Sequence, residues 1–357
     1  MITESPRRPL ENIWSPIALI VIVAMVVALG QLSGAESLTL TINEMLIRMV
    51  VVIGVYTFVG NTGIVSFGQV AFMCIGAYAA GWAAGPPAWK QLMLTGLPAF
   101  LSEAQYPFII AVLGGGLLAA VIAALFGAAI IRLTGTAASI ATFAFLAAVN
   151  GFYSNWDSVT AGTSSIIGIP TVANSWVFFA YVAFAIICAA FFQQSRVGLM
   201  VRASRDDEVA AKSVAINVVR VRLSAFVLSA FLVGLGGGLY AHFLGVITVD
   251  VFYLNLTFLT LAMLIIGGSG SLSGAVIGTL FVTLIVELLR KLEAGVTVEN
   301  QTFELPRYSQ EIGLGIVLAL VLVLRPGGLT NGSEIPYPLA RLPMRPSQNE
   351  RERLTSI

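Results

Sequence analysis

Long apolar runs separated by short polar interruptions dominate this chain. Ten runs stand out, at 16–32, 43–60, 62–84, 107–131, 135–153, 176–193, 223–246, 252–268, 272–289 and 310–324. A helix crosses the hydrocarbon core of a bilayer with ~20 apolar residues, so each run predicts a membrane helix. Two pairs are unusual. The run at 62–84 follows 43–60 with almost no loop and is interrupted by glycines, and only Ser269, Gly270 and Ser271 separate 252–268 from 272–289. Such pairs read as short, broken or re-entrant helices. The expected fold class is all-α: a polytopic membrane protein of about ten transmembrane helices, or eight if two segments re-enter. Residues 1–15 are expected to form a cytosolic N-terminal segment with Arg7 and Arg8, 16–325 the transmembrane domain, and 326–357 a polar, disordered cytosolic tail, with Arg325, Pro326 and Gly327 ending the last helix.

Composition agrees with this pattern. Of 357 residues, 57% are apolar and only 10% are charged, against ~25% charged in soluble domains. A net charge of +1 gives no basic footprint for nucleic acid. With one histidine and two cysteines there is no material for a zinc site, a haem or a disulfide scaffold. No metal or cofactor is expected. None of the lysines, Lys90, Lys212 and Lys291, follows a glycine, so the chain lacks the loop that cradles ATP phosphates.

The few charges also set an orientation. With the N-terminus in the cytosol and ten spans, 14 of the 19 basic residues fall on the cytosolic side, including Arg132 and six between Arg196 and Arg222. Positive residues concentrate in cytosolic loops, so both termini are expected in the cytosol. Charges inside the spans have local partners available: Glu44 and Arg48 lie four apart on one helix, and Glu287 precedes Arg290 and Lys291. No membrane-centred series of Asp, Glu or His exists to carry protons. His242, late in its span beside Tyr240, reads as a packing residue.

The cytosolic loop at 195–222 is the one long, charge-rich interruption. Ser204 and Asp207 suggest a capped helix start, with Asp206, Asp207 and Glu208 in the first turn, where the helix dipole favours anions. The spacing predicts one helix over 205–215, stopped at Asn217. Glu208, Ala211 and Ala215 would share a face, one acid beside small side chains that let another surface approach. A solvated connector is the plainer alternative.

Gly63 to Ser66 precedes a small-residue helix in the first half, and Gly270 to Ser273 does so in the second. A broken helix exposes N–H groups that can meet a carboxylate. Gly63, Ser66, Gly68, Gln69, Ser271 and Ser273 are therefore the candidate path residues. Ordinary helix packing explains the same residue types.

Three motifs together resemble one family. The stretch Gly63-Ile-Val-Ser-Phe-Gly-Gln-Val-Ala-Phe-Met-Cys-Ile-Gly-Ala-Tyr78, the loop Glu208-Val-Ala-Ala211 with Ile216 and Asn217 behind it, and Ile266-Gly-Gly-Ser-Gly-Ser-Leu-Ser-Gly-Ala-Val-Ile-Gly278 are similar in order and spacing to the branched-chain amino acid ABC permease family, most like its LivM-type subunit. The resemblance covers about 43–329. It implies a permease subunit, not an enzyme, in a bacterial inner membrane. Its partners would be a second, LivH-like permease subunit, two ABC ATPase subunits and a solute-binding protein. The substrate would be a branched-chain or other apolar amino acid, with urea or short amides as alternatives. Arg205, Asp206, Asp207, Glu208, Ala210, Ala211, Ala215 and Asn217 would form the ATPase-coupling loop, with Glu208 facing a basic residue of the ATPase. One departure is Ala215, where the family usually has glycine. A secondary transporter or channel, or a membrane scaffold without transport, are the rival classes.

Overall fold

In the computed structural model the described residues are 9–335, without 134, 294–295, 299–300, 304–305 and 307–308. They fold almost entirely as helices: α1 Pro9–Leu32, α2 Glu36–Thr62, α3 Gln69–Ala84, α4 Pro87–Met93, α5 Ala99–Ser102, α6 Phe108–Ile130, α7 Thr136–Ser154, α8 Asp157–Thr160, α9 Ser175–Gln194, α10 Arg196–Asp206, α11 Glu208–Ser213, α12 Val218–Leu244, α13 Leu254–Gly267, α14 Leu272–Glu293 and α15 Ser309–Leu324. Two short antiparallel pairs and a 3-10 turn at Val249–Phe252 complete the described elements. β1 Ile166–Ile167 joins β2 Val246–Ile247, and β3 Val296–Val298 joins β4 Gln301–Phe303.

Each of the ten apolar runs became a helix. Among the described residues, seven helices are long and apolar enough to cross a membrane: α2, α6, α7, α9, α12, α14 and α1 from Trp14 onward. The other three runs give shorter apolar helices, Gln69–Ala84, Leu254–Gly267 and Ile312–Leu324. α3 has 16 residues and α13 has 14. At 1.5 Å per residue these are about 24 and 21 Å long, short of the ~30 Å hydrocarbon core.

α12 is the centre of the bundle and packs on α2, α3 and α6. Its glycines permit this. A Cβ on Gly237 would overlap the Met73 carbonyl oxygen of α3, and one on Gly76 of α3 would overlap the Gly234 carbonyl oxygen of α12. On the other side of Gly76, a Cβ on Gly115 of α6 would strike the Gly76 carbonyl oxygen. Three helices thus meet backbone to backbone, the usual role of small residues where no hydrophobic effect separates protein from lipid. α13 and α14 form a second tight pair through Gly267, Gly274 and Gly278.

The expected intrahelical charge pairs are present. Arg48 bonds Glu44 at 2.5 Å, and Arg290 and Lys291 lie 3.3 and 3.8 Å from Glu287. His242 is buried, with Nδ1 2.8 Å from the Pro170 carbonyl oxygen and its ring against Phe108. Lys90 is fully buried, and its ammonium donates to the carbonyl oxygens of Trp82, Leu101 and Ala104 at 2.9, 2.5 and 2.7 Å. It staples the loop after α3 to that helix's C-terminus, where cations are favoured. Burial lowers its pKa from the ordinary lysine value.

Residues 325–335 are folded onto the bundle, which corrects the expected start of a free tail at 326. Leu329 N–H donates to Ile266 O at 2.8 Å and Thr330 N–H to Gly267 O at 3.1 Å. The remainder of that expected tail lies outside the described residues.

Candidate coupling loop and glycine-rich turns

The 195–222 loop is two helices, not one. Ser195 caps α10, accepting from Gly198 N–H at 3.1 Å. Ser204, expected at the helix start, is instead buried inside α10, with its hydroxyl donating to Val201 O at 2.7 Å. The break falls at Asp207, which is extended at φ −152°. Its Oδ1 accepts from Val209 N–H and Ala210 N–H at 2.8 and 2.9 Å. A carboxylate one methylene from the backbone competes with the helix for those N–H groups, so it ends α10 and starts α11.

The end of α11 explains the unusual alanine. Ile216 N–H donates to Ala211 O at 3.1 Å and Ala215 N–H to Lys212 O at 3.1 Å, the paired bonds of a Schellman stop. Ala215 occupies the left-handed position of that motif at φ 62°. Glycine suits this position because it carries no Cβ. Asn217 lies beyond the stop. Its Oδ1 accepts from Arg220 N–H at 3.1 Å, so it starts α12 rather than ending the loop helix.

The expected small-residue face is rotated. Ala211 is buried against the bundle, while Ala210 and Ala215 are open. Glu208 is partly exposed and engaged within the chain, 2.7 Å from Lys212 and 3.0 Å from Arg222. The hydrogen bond from Lys212, joined by the Arg222 charge, holds its carboxyl below the usual carboxylate range in spite of partial desolvation. Asp206 is exposed. Val209 and Val214, 78% and 70% exposed, are the large apolar groups here that charge-based reading missed. A cavity of about 310 Å³ lies beside Glu208, lined also by Ile131, Arg132, Lys212 and Arg222 among others.

Three arginines tie the loop to the bundle through helix C-termini. Arg205 Nη1 donates to Gly60 O of α2 at 2.6 Å, Arg202 donates to Gln193 O of α9, and Arg222 Nη2 donates to Ser204 O of α10 at 3.0 Å. The last carbonyls of a helix lack internal partners and carry the negative end of its dipole, so each site suits a guanidinium.

Both glycine-rich turns meet this loop end. Gly63 closes α2 at φ 72°, and a Cβ there would press on the Arg205 side chain. In the extended stretch that follows, Phe67 N–H donates to Thr142 Oγ1 at 3.2 Å and Ser139 Oγ to Val65 O at 2.7 Å. Gly68 permits the close approach of Thr142 of α7, whose carbonyl a Cβ would overlap. Gln69 Oε1 accepts from Ser229 Oγ at 3.1 Å. Asn61 Oδ1, Ser66 Oγ and Gln69 Nε2 are buried without a partner. Unpartnered buried polar atoms are costly, and three around one turn mark it as unusual. The second turn touches the first, since a Cβ on Gly60 would press on Ser269 O.

That second turn is already satisfied. The Glu334 carboxylate accepts from Leu272 N–H, Ser273 N–H and Ser273 Oγ at 2.7, 3.1 and 2.5 Å, and from Ser15 Oγ of α1 at 3.0 Å. Ser271 accepts from Gly274 N–H at 3.0 Å and lies 3.0 Å from Thr330 Oγ1. Ser271 and Glu334 therefore cap α14 in this conformation, with the Ser273 hydroxyl engaged by Glu334, while Ser66 and Gln69 hold unused hydrogen-bonding capacity.

A family model described as the permease component of the branched-chain amino acid transport system matches residues 37–324. The high-affinity branched-chain amino acid transport system permease protein LivM of Salmonella typhimurium is 24% identical over 321 residues, covering 80% of this chain and 68% of that protein. LivM of Escherichia coli is 25% identical over 248 residues, covering 60% of this chain and 55% of that protein. No solved structure matches.

Proposed function

The chain belongs to the branched-chain amino acid transport permease family, and from that premise we propose that it forms half of the translocation path of an ATP-driven importer for branched-chain or other apolar amino acids. The chain itself is a transport subunit, not an enzyme. A second, LivH-like permease completes the path, two ABC ATPases bind at 204–217, and a solute-binding protein delivers substrate on the far side. Both termini and the α10–α11 loop face the cytosol of a bacterial inner membrane.

One observation carries the reading. Arg205 of the loop grips the Gly60 carbonyl oxygen at 2.6 Å, at the hinge where α2 gives way to the Gly63–Gly68 turn. A push on α11 by an ATPase has a short route into the bundle: through Glu208 and Arg222 to α10, and through Arg202 and Arg205 to the ends of α9 and α2. Asp206, Val209, Ala210 and Val214 supply the docking surface, and the open cavity beside Glu208 can receive a partner side chain. Gly63 is a pivot, and the unpartnered groups of Asn61, Ser66 and Gln69 are available to a passing amino acid's carboxylate or ammonium. Such groups gain the most when a ligand supplies the missing bond.

Reconstituted complexes in proteoliposomes test this. Arg205→Ala is expected to leave ATPase subunits bound and hydrolysing while uptake per ATP falls, and Val209→Asp is expected to weaken co-purification of the ATPase. Normal uptake per ATP in Arg205→Ala, or full ATPase retention in Val209→Asp, overturns the assignment.

A further inference from the structure

α6 and α7 are consecutive in the chain, yet α6 packs chiefly on α12 and α3. The gap left between α6 and α7 is a cavity of about 920 Å³ with α3 as its floor. On α6 its lining runs from Ile110 to Phe126, a rise of about 24 Å. Phe145, Val149 and Phe152 line the α7 side. The outer end is closed by Trp156, Tyr106 and the loop that Lys90 staples. The rim is open to the side: Ile110, Phe126 and Phe152 are 55%, 54% and 58% exposed on helices long and apolar enough to span. Two small residues form the window, Gly114, whose missing Cβ would meet nothing within 4 Å, and the exposed Ala148.

We propose that this cavity is an intrasubunit lipid site, filled by an acyl chain of a membrane phospholipid that enters between α6 and α7. The alternatives fail on physical grounds. Ordered water needs two to four polar partners, which this lining does not provide. An amino-acid substrate would bury an ammonium and a carboxylate with no group to pair them. Collapse of the gap is resisted because α6 is already at backbone contact with α3 through Gly115 and Gly76. An empty space of this size would forfeit dispersion contacts along its whole wall. An acyl chain needs no polar partner, and about 24 Å exceeds the ~15 Å depth of one leaflet, so a full chain is accommodated.

The test uses the complete transporter in lipid nanodiscs containing a phospholipid with a photoreactive diazirine on its acyl chain. Adducts are mapped by mass spectrometry. The expected result is enrichment at Phe145 and Val149 over Leu117 and Val121, which are membrane-facing controls, by about tenfold, a preference of about 1.4 kcal/mol. Gly114→Phe and Ala148→Phe are expected to abolish that enrichment while leaving the control adducts unchanged. Equal labelling of cavity and control residues in the unmodified protein overturns the proposal without any variant. So does rapid modification of Ala148→Cys by a charged, membrane-impermeant thiol reagent, which would mark a water-filled path.

Discussion

Removing the Glu208 carboxylate tests whether the coupling loop is held from within. Arg222 is 5% exposed and has two strong interactions, with Ser204 O and with Glu208. Glu208→Ala leaves that guanidinium buried with its charge uncompensated. A charge-assisted hydrogen bond is worth about 1.5–3 kcal/mol, and the partial exposure of Glu208 reduces this to about 1–2 kcal/mol. The Lys212 pair adds about 0.3 kcal/mol, as for an exposed i,i+4 contact. A loss of 1–2 kcal/mol corresponds to roughly a 5–30-fold rise in local opening. Hydrogen exchange of α10 and α11 in the isolated permease measures it directly. Exchange at Val209 to Ile216 should accelerate within that range, with the bundle core unchanged. A cycle with Arg222→Gln should return a coupling of at least about 1 kcal/mol, since residues in contact are not additive. Unchanged protection in Glu208→Ala, without any ATPase present, would refute the internal bracing and leave Glu208 acting only on a partner.

The same carboxylate fixes a pH response. Its pKa is depressed in the folded chain, so its contribution is complete above the unfolded value of ~4.3 and is lost as pH falls through the folded one; loop protection factors, corrected for the intrinsic pH dependence of exchange, should be constant above about pH 5 and fall below about 4. Ala215→Gly relieves a left-handed alanine and should slow exchange of α11, a gain of up to about 1 kcal/mol less the added freedom of the unfolded loop. Gly237→Ala places a Cβ against Met73 O; thermal unfolding in detergent should show a loss of about 3 kcal/mol, the upper end for overpacking. Lys90→Met strands three carbonyl oxygens and should cost about 2–3 kcal/mol, read as faster proteolysis of the loop between α3 and α6.

Helix positions were legible because apolar runs of membrane length leave little choice. The ends of α6 and α7 fall within a residue of the polar breaks that predict them. The loop was harder, because capping residues are interchangeable in sequence. Ser204 and Asp207 can each start a helix, and only burial of Ser204 decides between them. Asn217 can stop one helix or start the next. Which of Ala210 and Ala211 faces outward depends on a register that shifted when the helix broke. Sequence marks Ala215 only as a departure from the usual glycine; its left-handed backbone angle supplies the reason glycine is usual there. Glu334 was illegible in principle: its partners at Leu272 and Ser273 are more than sixty positions away, and nothing local in a polar tail announces such a contact. The lipid-facing cavity is similar, since its walls are drawn from separate helices whose apolar residues look like ordinary membrane sequence.

The scarcity of charge in this protein acquires a structural meaning from where the charges act. At the loop end, several helices terminate within a few ångströms of one another, and every terminus exposes unpaired backbone groups. Arg202, Arg205 and Arg222 occupy C-termini, while Asp207 and Glu334 occupy N-termini, each matched in sign to the helix dipole. Three of the six basic residues between Arg196 and Arg222 are thus caps that fasten the loop to the bundle. A cap made by a long side chain across two elements is strong only while its geometry is kept. A displacement of α10 by one or two ångströms would break the bonds to α2 and α9 together and free the Gly63 pivot. On the proposed function, the loop end is where a small push from an ATPase would be converted into a rearrangement of helix ends.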